Sequence, residues 1–323
     1  MEDTLVSRPI EMEDCEAVAE IVNAFWTDIG RTGHFTGDGV RGRLQTPTLN
    51  HATHTRLILT KTGTPIAYAF LWKHSLTSQN ARLIWVVHPE YRETYAGTLL
   101  LGWAEQQVRN DVGAMNSNAG CVLQAESLSA HDGSQELYHQ FGFRVARYFW
   151  EMKIELDTEP PKAIFPPHLC IRTFDVDTDS EKLYRSIRST FAQHWGFQND
   201  VYEIGFSGFI HEIENDPHFD PSLWFVLFEG DEIVGMAICK QTAGAVGNVG
   251  YISRFGLIPN RRRQGLGLAL LQHAFFVLYQ RRCTCVTLDV DAANVTGATR
   301  LYHRAGMKID KQWRIYENEI NKG

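Results

Sequence analysis

Gly256-Leu257-Ile258-Pro259-Asn260-Arg261-Arg262-Arg263-Gln264-Gly265-Leu266-Gly267 lies between two apolar runs of different period. Asn248 to Ile258 reads as a strand, and Leu266 to Arg282 as a long, largely apolar helix. Two glycines one residue apart at a helix start let the backbone come close to a ligand, and the free N–H groups and helix dipole there attract phosphate. The spacing predicts a diphosphate site, and three basic residues inside a Gly-containing turn point the same way. The stretch is not a G-x-x-x-x-G-K-[ST] loop. It is not the dinucleotide fingerprint G-x-G-x-x-G either, because Leu270 stands where the third glycine belongs. Nucleotide hydrolysis and hydride transfer lose their main support.

Outward from this turn the same reading extends in both directions. Upstream, Leu169 to Phe174 is strand-like, and Glu181 to Trp195 carries Leu183, Ile187 and Phe191 on one helical face. A second helix is expected over about Val201 to Glu214. Leu223 to Phe228 and Ile233 to Cys239 form a hairpin around the turn signal Glu229-Gly230-Asp231. Downstream, Cys285 to Val290 reads as a strand, and Ala298, Leu301, Tyr302 and Ala305 mark a short helix closed by Gly306. A last strand is expected from about Lys308 to Asn318. The order βααβββαβαβ predicts an α/β (α+β) fold with a mixed, mostly antiparallel sheet and helices on both faces.

The 323 residues suit two domains. Glu155 to His168 holds four of the eleven prolines and reads as an extended linker. The halves on either side repeat one another. Arg8-Pro9-Ile10 matches Arg172-Thr173-Phe174, His88-Pro89-Glu90-Tyr91-Arg92 matches Ile258-Pro259-Asn260-Arg261-Arg262, and Leu137-Tyr138-His139-Gln140-Phe141-Gly142-Phe143 matches Leu301-Tyr302-His303-Arg304-Ala305-Gly306-Met307. The expected division is 1–156, a linker over 157–167, and 168–323.

Composition narrows the function. Hydrophobic residues are 44% and charged ones 21%, with no apolar run long enough for a membrane helix. The acidic start Met-Glu-Asp-Thr-Leu lacks the features of a signal peptide, so a cytoplasmic location without membrane contact is expected. Six cysteines without a C-x-x-C pair indicate neither a zinc cage nor a disulfide framework, and no metal is expected. The net charge of −7 falls on the first half and argues against nucleic acid as a partner.

Arg262 to Gly267, R-x-x-G-x-G after a strand ending Leu257-Ile258-Pro259, resembles the acetyl-CoA loop of the GNAT superfamily of acyltransferases. Leu288-Asp289-Val290-Asp291-Ala292-Ala293-Asn294, then Ala298, Leu301-Tyr302 and Gly306-Met307, is similar to that superfamily's next strand and helix. The likeness covers roughly residues 169–318, and the weaker likeness of the first half makes the chain resemble a tandem GNAT, a layout shared with mycothiol synthase.

The resemblance implies acetyl-CoA as cosubstrate and a small-molecule amine as acceptor, in a monomer or homodimer. It implies that backbone groups around Phe255 to Leu257 hold pantetheine and thioester, with an N–H near Leu257 as oxyanion donor. The loop amides of Gln264, Gly265, Leu266, Gly267 and Leu268 would bind the diphosphate, with charge from Arg262 and Arg263. Tyr302 would protonate the leaving thiolate, and Asn294 would hold the cofactor arm or cap the helix. His194-Trp195 and His211-Glu212 fall on helices that shape the acceptor pocket, where structural roles compete with substrate binding. The strand before the loop has no carboxylate, which leaves Asp289, Glu212 and His211 as candidate general bases.

In the first half, Arg92-Glu93-Thr94-Tyr95-Ala96-Gly97 keeps the Arg and the last Gly, but Tyr95 stands at the position of Gly265 and is expected to crowd the diphosphate. Ser127 to Ala130 lacks the counterpart of Asn294, while Tyr138 persists, so vestigial catalysis stays open. The first half is therefore expected to be a degenerate GNAT-like domain and the second the acetyl-CoA-binding one. The function expected is N-acyl transfer to a primary amine. The alternatives are a mycothiol-synthase-like enzyme acting on an amino-sugar thiol precursor and a non-catalytic acyl-CoA-binding or scaffold protein.

Overall fold

A computed structural model of the chain describes residues 5–30, 35–46, 49–73, 79–114, 120–129, 133–197, 201–244, 247–294 and 296–321. The first half runs β1 (Val6–Arg8), α1 (Cys15–Asp28), α2 (Gly37–Leu44), α3 (His51–His54), β2 (Thr55–Leu59), β3 (Pro65–Trp72), β4 (Asn80–Val87), α4 (Ala96–Ala114), β5 (Cys121–Leu128), α5 (Gly133–Gln140) and β6 (Arg144–Glu155). The second runs β7 (Leu169–Thr173), α6 (Val176–Phe191), α7 (Tyr202–Asn215), β8 (Trp224–Glu229), β9 (Glu232–Gly244), β10 (Gly247–Leu257), α8 (Leu266–Gln280), β11 (Cys283–Asp291), α9 (Ala298–Arg304) and β12 (Lys308–Ile320). The order expected for the second half holds, and the first half repeats it with the one-turn α3 added.

Both copies fasten their first strand to their first helix in the same way. Arg8 makes a two-pronged pair with Asp14, and Arg172 with Asp179. Burial alone would raise the two aspartates, but the arginine partners hold both below the usual carboxylate range. The second helix begins at Val176, earlier than the apolar stripe suggests. Asp175 caps it, its side chain accepting from the N–H groups of Asp177 and Thr178.

The chain forms two compact units, one of Met1–Tyr148, Asn215–Pro217 and Trp313–Gly323, the other of Phe149–Glu214 and His218–Gln312. In the first, the sheet order is β1-β2-β3-β4-β5 followed by the Trp313–Ile320 part of β12. In the second, it is β7-β8-β9-β10-β11 followed by the Phe149–Glu155 part of β6. Only β4/β5 and β10/β11 are parallel among these pairs; the rest are antiparallel.

The units thus depart from the expected domains 1–156 and 168–323 at their last strands. Each half ends in a strand whose far portion completes the other unit's sheet, through the ladders Cys285↔Glu155 to Asp291↔Phe149 and Trp313↔Leu128 to Ile320↔Cys121. Period and turn signals locate a strand but do not say which edge it pairs with.

Each sheet is covered on both faces. In the first unit α4 and α5 pack one face around Leu100, Leu101 and Tyr138, and α1 and α2 the other around Val18, Val22 and Val40. In the second unit α8 and α9 cover one face with Leu270, Phe275 and Tyr302, and α6 and α7 the other with Leu183, Phe209 and Ile213.

The proline-rich stretch is extended, but it is not a loose tether. Leu156 is buried and its N–H donates to the Thr284 carbonyl at 2.8 Å. Phe165 meets the His273 ring edge-on at 6.3 Å, and Lys162 stands over the Phe276 ring, so the stretch lies along α8. Ile164, 87% exposed, faces water.

A protease site introduced at Ile164 should therefore cut the chain without separating its halves, because each sheet holds a strand from the other half. The cut protein is expected to elute as one particle on gel filtration. Residues 168–323 expressed alone, lacking Phe149–Glu155, should aggregate through the bare edge of β11, and a soluble monomeric fragment would count against the exchange.

Candidate active site

The second unit contains a fork in its sheet. The parallel ladder between β10 and β11 runs from Asn248↔Cys283 to Tyr251↔Thr287 and stops. Beyond it β10 stays with β9 as far as Leu257↔Gly235, while β11 stays with β6 as far as Asp291↔Phe149. The inner edge of β10 is therefore without a strand partner after Tyr251. Ile258 donates its N–H to Val234 of β9 at 3.0 Å, so by the alternation of an extended chain the N–H groups of Leu257 and Phe255 point to the opposite, open edge. A bulge between Ile252 and Arg254 adds a residue to β10 there, and the Ser253 hydroxyl fixes it by donating to the Ile238 carbonyl at 3.1 Å.

The loop after β10 has a left-handed backbone at two positions. Arg263 has φ 65° and Gly265 φ 81°, both left-handed, and α8 begins without a side-chain cap. A side chain in that region costs about 1–2 kcal/mol, so Arg263 carries strain and Gly265 avoids it. Arg263, Gln264 and Gly265 are exposed, Leu268 is half-buried, and Leu266 and Gly267 are buried.

The three arginines divide. Arg261 pairs with Glu229 at 2.5 Å, and Arg262 donates to the carbonyls of Leu257 at 3.1 Å and Thr190 at 2.8 Å, clamping α6 to the end of β10. Arg263 alone of the three has no polar partner among the described residues. The Arg262 guanidinium is thus held in place by two backbone carbonyls and keeps its charge. Gly267 differs from expectation: a Cβ there would stand 2.9 Å from Leu301 Cδ2, so its bareness serves the packing of α9, whereas a Cβ on Gly265 would meet nothing within 4 Å.

Tyr302 comes off α9 beside the fork, 6% exposed, its ring edge-on to Phe255 at 5.9 Å. Its hydroxyl has no hydrogen-bond partner among the described residues. Burial pushes its pKa well above the ordinary tyrosine value, so it stays protonated and able to donate. Asn294 does not cap α9, whose N-cap is Gly297. Its side-chain oxygen accepts from the Thr296 N–H at 2.8 Å and hydroxyl at 2.5 Å, building the turn into that helix.

On the α6/α7 side, the Glu212 carboxylate holds Arg254 of β10 with both oxygens, at 3.1 and 2.7 Å. Burial opposes the charge on Glu212, but Arg254 keeps its pKa below the usual value, which makes it a poor base. Asp289 accepts a hydrogen bond from the Tyr251 hydroxyl at 2.9 Å. His194 and Trp195 lie in the turn after α6, not on the helix as expected. His194 sits against Phe191, and burial first, then Arg262, lowers its pKa; Trp195 lies 6.2 Å from Phe149. His211 is on α7. Tyr251, Ser253 and Arg254 were missed by the sequence reading, since a bulge leaves no compositional mark.

The first unit has the fork, with β4/β5 pairing ending at Leu83↔Ala125, but β4 has no bulge and the loop differs. None of Arg92 to Ala96 is left-handed, and the Thr94 hydroxyl accepts from the Ala96 N–H at 3.4 Å. Tyr95 turns to the N-terminal segment, its hydroxyl accepting from the Leu5 N–H at 2.9 Å. The first unit's loop therefore lacks the left-handed turn of the second, and the Tyr95 side chain is directed to the N-terminal segment. Tyr138 is fully buried, accepts from Trp85 Nε1 at 2.7 Å and donates to the Glu126 carbonyl at 3.0 Å, so its hydroxyl is committed to structure. Ser127 bonds Ser134, and Ala130 lies outside the described residues.

Gly265→Ala tests the loop. Its cost is conformational, since the new methyl meets nothing, and should weaken acetyl-CoA binding by roughly tenfold in calorimetry, with Gly265→Asn closer to wild type. One site per chain is expected. Unchanged affinity in the alanine variant, or two equal sites, would refute this assignment.

Among the described residues no helix is long and apolar enough to cross a membrane, and no cluster of His, Cys, Asp and Glu could hold a metal ion. Residues 181–307 match the acetyltransferase (GNAT) family. A mycothiol acetyltransferase of Thermobispora bispora is 31% identical over 68% of this chain and 70% of its own length. A GCN5-related N-acetyltransferase from Sphaerobacter thermophilus is 28% identical, with a TM-score of 0.75 over 99% of this chain and 96% of that one. A tandem GNAT protein from the clavulanic acid biosynthesis pathway, 14% identical, shares the fold with a TM-score of 0.72 over 98% of each chain. These likenesses set aside the non-catalytic alternative. The chain belongs to the GNAT family of acetyltransferases as a tandem of two GNAT units, and it is an acyltransferase of a fold that draws on acyl-CoA.

Proposed function

We propose that the second unit transfers the acetyl group of acetyl-CoA to a primary amine of a small molecule by direct attack, and that the first unit is a degenerate copy. The observation that carries this reading is the contrast between the two loops: left-handed at Arg263 and Gly265 before an uncapped helix in one unit, with neither feature in the other.

In this reading the N–H groups of Gln264 to Leu268 and the Arg263 guanidinium hold the diphosphate. The pantetheine arm lies along the open edge of β10 from Leu257 past Phe255, and Asn294 borders that arm. An N–H of this edge at or near Leu257 receives the developing oxyanion. The Tyr302 hydroxyl, beside Phe255, gives its proton to the departing sulfur. Arg262 acts through position, by holding α6 and the end of β10 together.

A second reading is supported by the mycothiol acetyltransferase relatives: the acceptor is an amino-sugar thiol precursor and the donor site is the same. Thiol release from acetyl-CoA with a panel of amines, amino sugars and such a precursor separates the two.

The tyrosines supply the mechanistic test. Tyr302→Phe should lower turnover at least roughly tenfold with little change in melting temperature, because its hydroxyl has no protein partner to lose. Tyr138→Phe should destabilise by about 1–3 kcal/mol, by leaving Trp85 Nε1 and the Glu126 carbonyl unpaired, with acetyl-CoA affinity unchanged. Since burial raises the Tyr302 pKa, turnover should not decline up to about pH 10, where an ordinary tyrosine ionises. An alkaline decline below pH 10 that disappears in Tyr302→Phe would contradict the raised pKa, and unchanged turnover in Tyr302→Phe would contradict the assignment as acid.

A further inference from the structure

The strand that lines the fork carries no carboxylate, and Glu212 is occupied by Arg254, so of the candidate bases Asp289 and His211 remain for the proton that the attacking amine must lose. The closed end of the fork supplies one. Tyr251 is the last β10 residue paired with β11, and its hydroxyl donates to Asp289 Oδ2 of β11 at 2.9 Å. The bond spans the two strands where they part.

The two side chains lie on the face from which an acceptor can come. Ile252 on β10 and Leu288 and Val290 on β11 are buried in the core under α8 and α9. Their strand neighbours Tyr251 and Asp289 therefore point to the opposite face, toward α6 and α7. Tyr302 and Phe255 stand on the α8/α9 face. An arm anchored by its diphosphate at the α8 loop and laid along the open edge of β10 runs toward Tyr251, which across the bulge stands five β9 residues from Leu257, about 17 Å at ~3.3 Å per residue. Its thioester end, held by an N–H of the Leu257–Phe255 stretch, would lie with Tyr302 on one face, and the Tyr251–Asp289 pair would stand deeper in the fork on the other, three β9 residues or about 10 Å beyond Phe255, so that the acceptor amine sits between thioester and pair.

Resting on the acetyl-transfer reading, we propose that Tyr251 is a catalytic residue that takes the amine's proton and that Asp289 is its positioning partner and final proton acceptor. The nitrogen forms its bond to the acetyl carbon as the carbon–sulfur bond breaks. The surplus proton on nitrogen passes to the Tyr251 oxygen, the Tyr251 proton passes to the Asp289 carboxylate, and Tyr302 protonates the sulfur. Asp289 then returns its proton to water and Tyr302 regains one. The amine loses one proton and the thiol gains one, so no further reactant is required.

The surroundings keep the pair polar and charged. Lys240 of β9 stands opposite Tyr251, and Arg254, with Glu212 of α7, lies beyond it on the same strand. Glu151 of β6 stands opposite Asp289 and holds Lys311 at 2.9 Å, and Asp291 follows on β11. His194, whose pKa burial lowers, is the rival base on this side of the sheet.

Steady-state kinetics of the full chain, with acetyl-CoA and the best amine of a panel containing glucosamine, a polyamine and an amino-acid amide, tests the pair. Asp289→Asn keeps an acceptor for the Tyr251 hydroxyl but cannot take a proton, and Tyr251→Phe removes the hydroxyl. Each should lower kcat by roughly 10- to 100-fold with the KM for acetyl-CoA and the melting temperature unmoved. The double variant should be no worse than either single one, as for groups acting as a unit. If both variants keep more than half of wild-type kcat, if their losses multiply, or if His194→Gln takes the loss in their place, the relay is wrong while acetyl transfer stands. If the wild-type chain releases thiol with no amine, the relay and the acetyl-transfer reading fall together.

Discussion

The second unit depends on a parallel ladder that ends early. β10 and β11 pair only as far as Tyr251↔Thr287, and the gap beyond persists because each strand has a better-placed partner on its outer side, β9 for one and β6 for the other. Backbone groups on an open inner edge are costly unless water or a ligand satisfies them. A fork of this kind is stable only where the outer ladders are complete. The outer ladder of β11 is made by Phe149–Glu155, a piece of the first half of the chain. The first half therefore contributes to the site of the second through a strand, whatever else its own unit does.

The clamp at the mouth of the fork follows from the same geometry. Where β10 leaves the sheet, the Leu257 carbonyl would face outward unpaired. Arg262 satisfies it and reaches the Thr190 carbonyl at the end of α6 as well. Gly256 lets α6 come this near, since a Cβ there would sit 2.4 Å from Thr190 Cγ2. Arg92 plays a related part in the first unit, pairing with Asp28 at the end of α1. A loop arginine that looks like a phosphate ligand from sequence is in both copies a tie between the loop and the first long helix. Of the three loop arginines, only Arg263, placed by a strained left-handed backbone, has no polar partner among the described residues.

Much of this was legible in the sequence. Periodicity gave the element order of the second half, the two-glycine turn marked the loop whose backbone is left-handed at Arg263 and Gly265, and the offset between halves exposed Tyr95 at the position of Gly265. What stayed hidden is what one strand's sequence does not encode. The exchange of β6 and β12 depends on which edge each strand finds, and their alternation is equally satisfied on either edge. The bulge at Ser253 re-aims Arg254 without any turn residue to announce it. The start of α6 was displaced because a capping aspartate, Asp175, outweighed the apolar stripe as a boundary signal. The proline-rich stretch was read correctly as extended, but the aromatic contact of Phe165 with His273 that lays it along α8 is a tertiary event.

The repeat also separates packing from chemistry, which a single copy cannot do. Gly97 and Gly267 are bare for the same reason: a Cβ would stand 3.0 Å from Leu137 in one copy and 2.9 Å from Leu301 in the other, so both copies need glycine to seat the short helix. Gly265 has no such neighbour, and its counterpart is a tyrosine in an ordinary backbone region. At Gly265 it is the positive φ beside an uncapped helix start, and not packing, that calls for glycine. The tyrosines divide in the same way. Tyr138 spends its hydroxyl on Trp85 and Glu126, stacks on Tyr316 at 4.7 Å, and would be needed in a protein that catalysed nothing. Phe255, in the place of Trp85, offers Tyr302 no such donor, so in the second copy the same ring position holds a hydroxyl with no partner among the described residues.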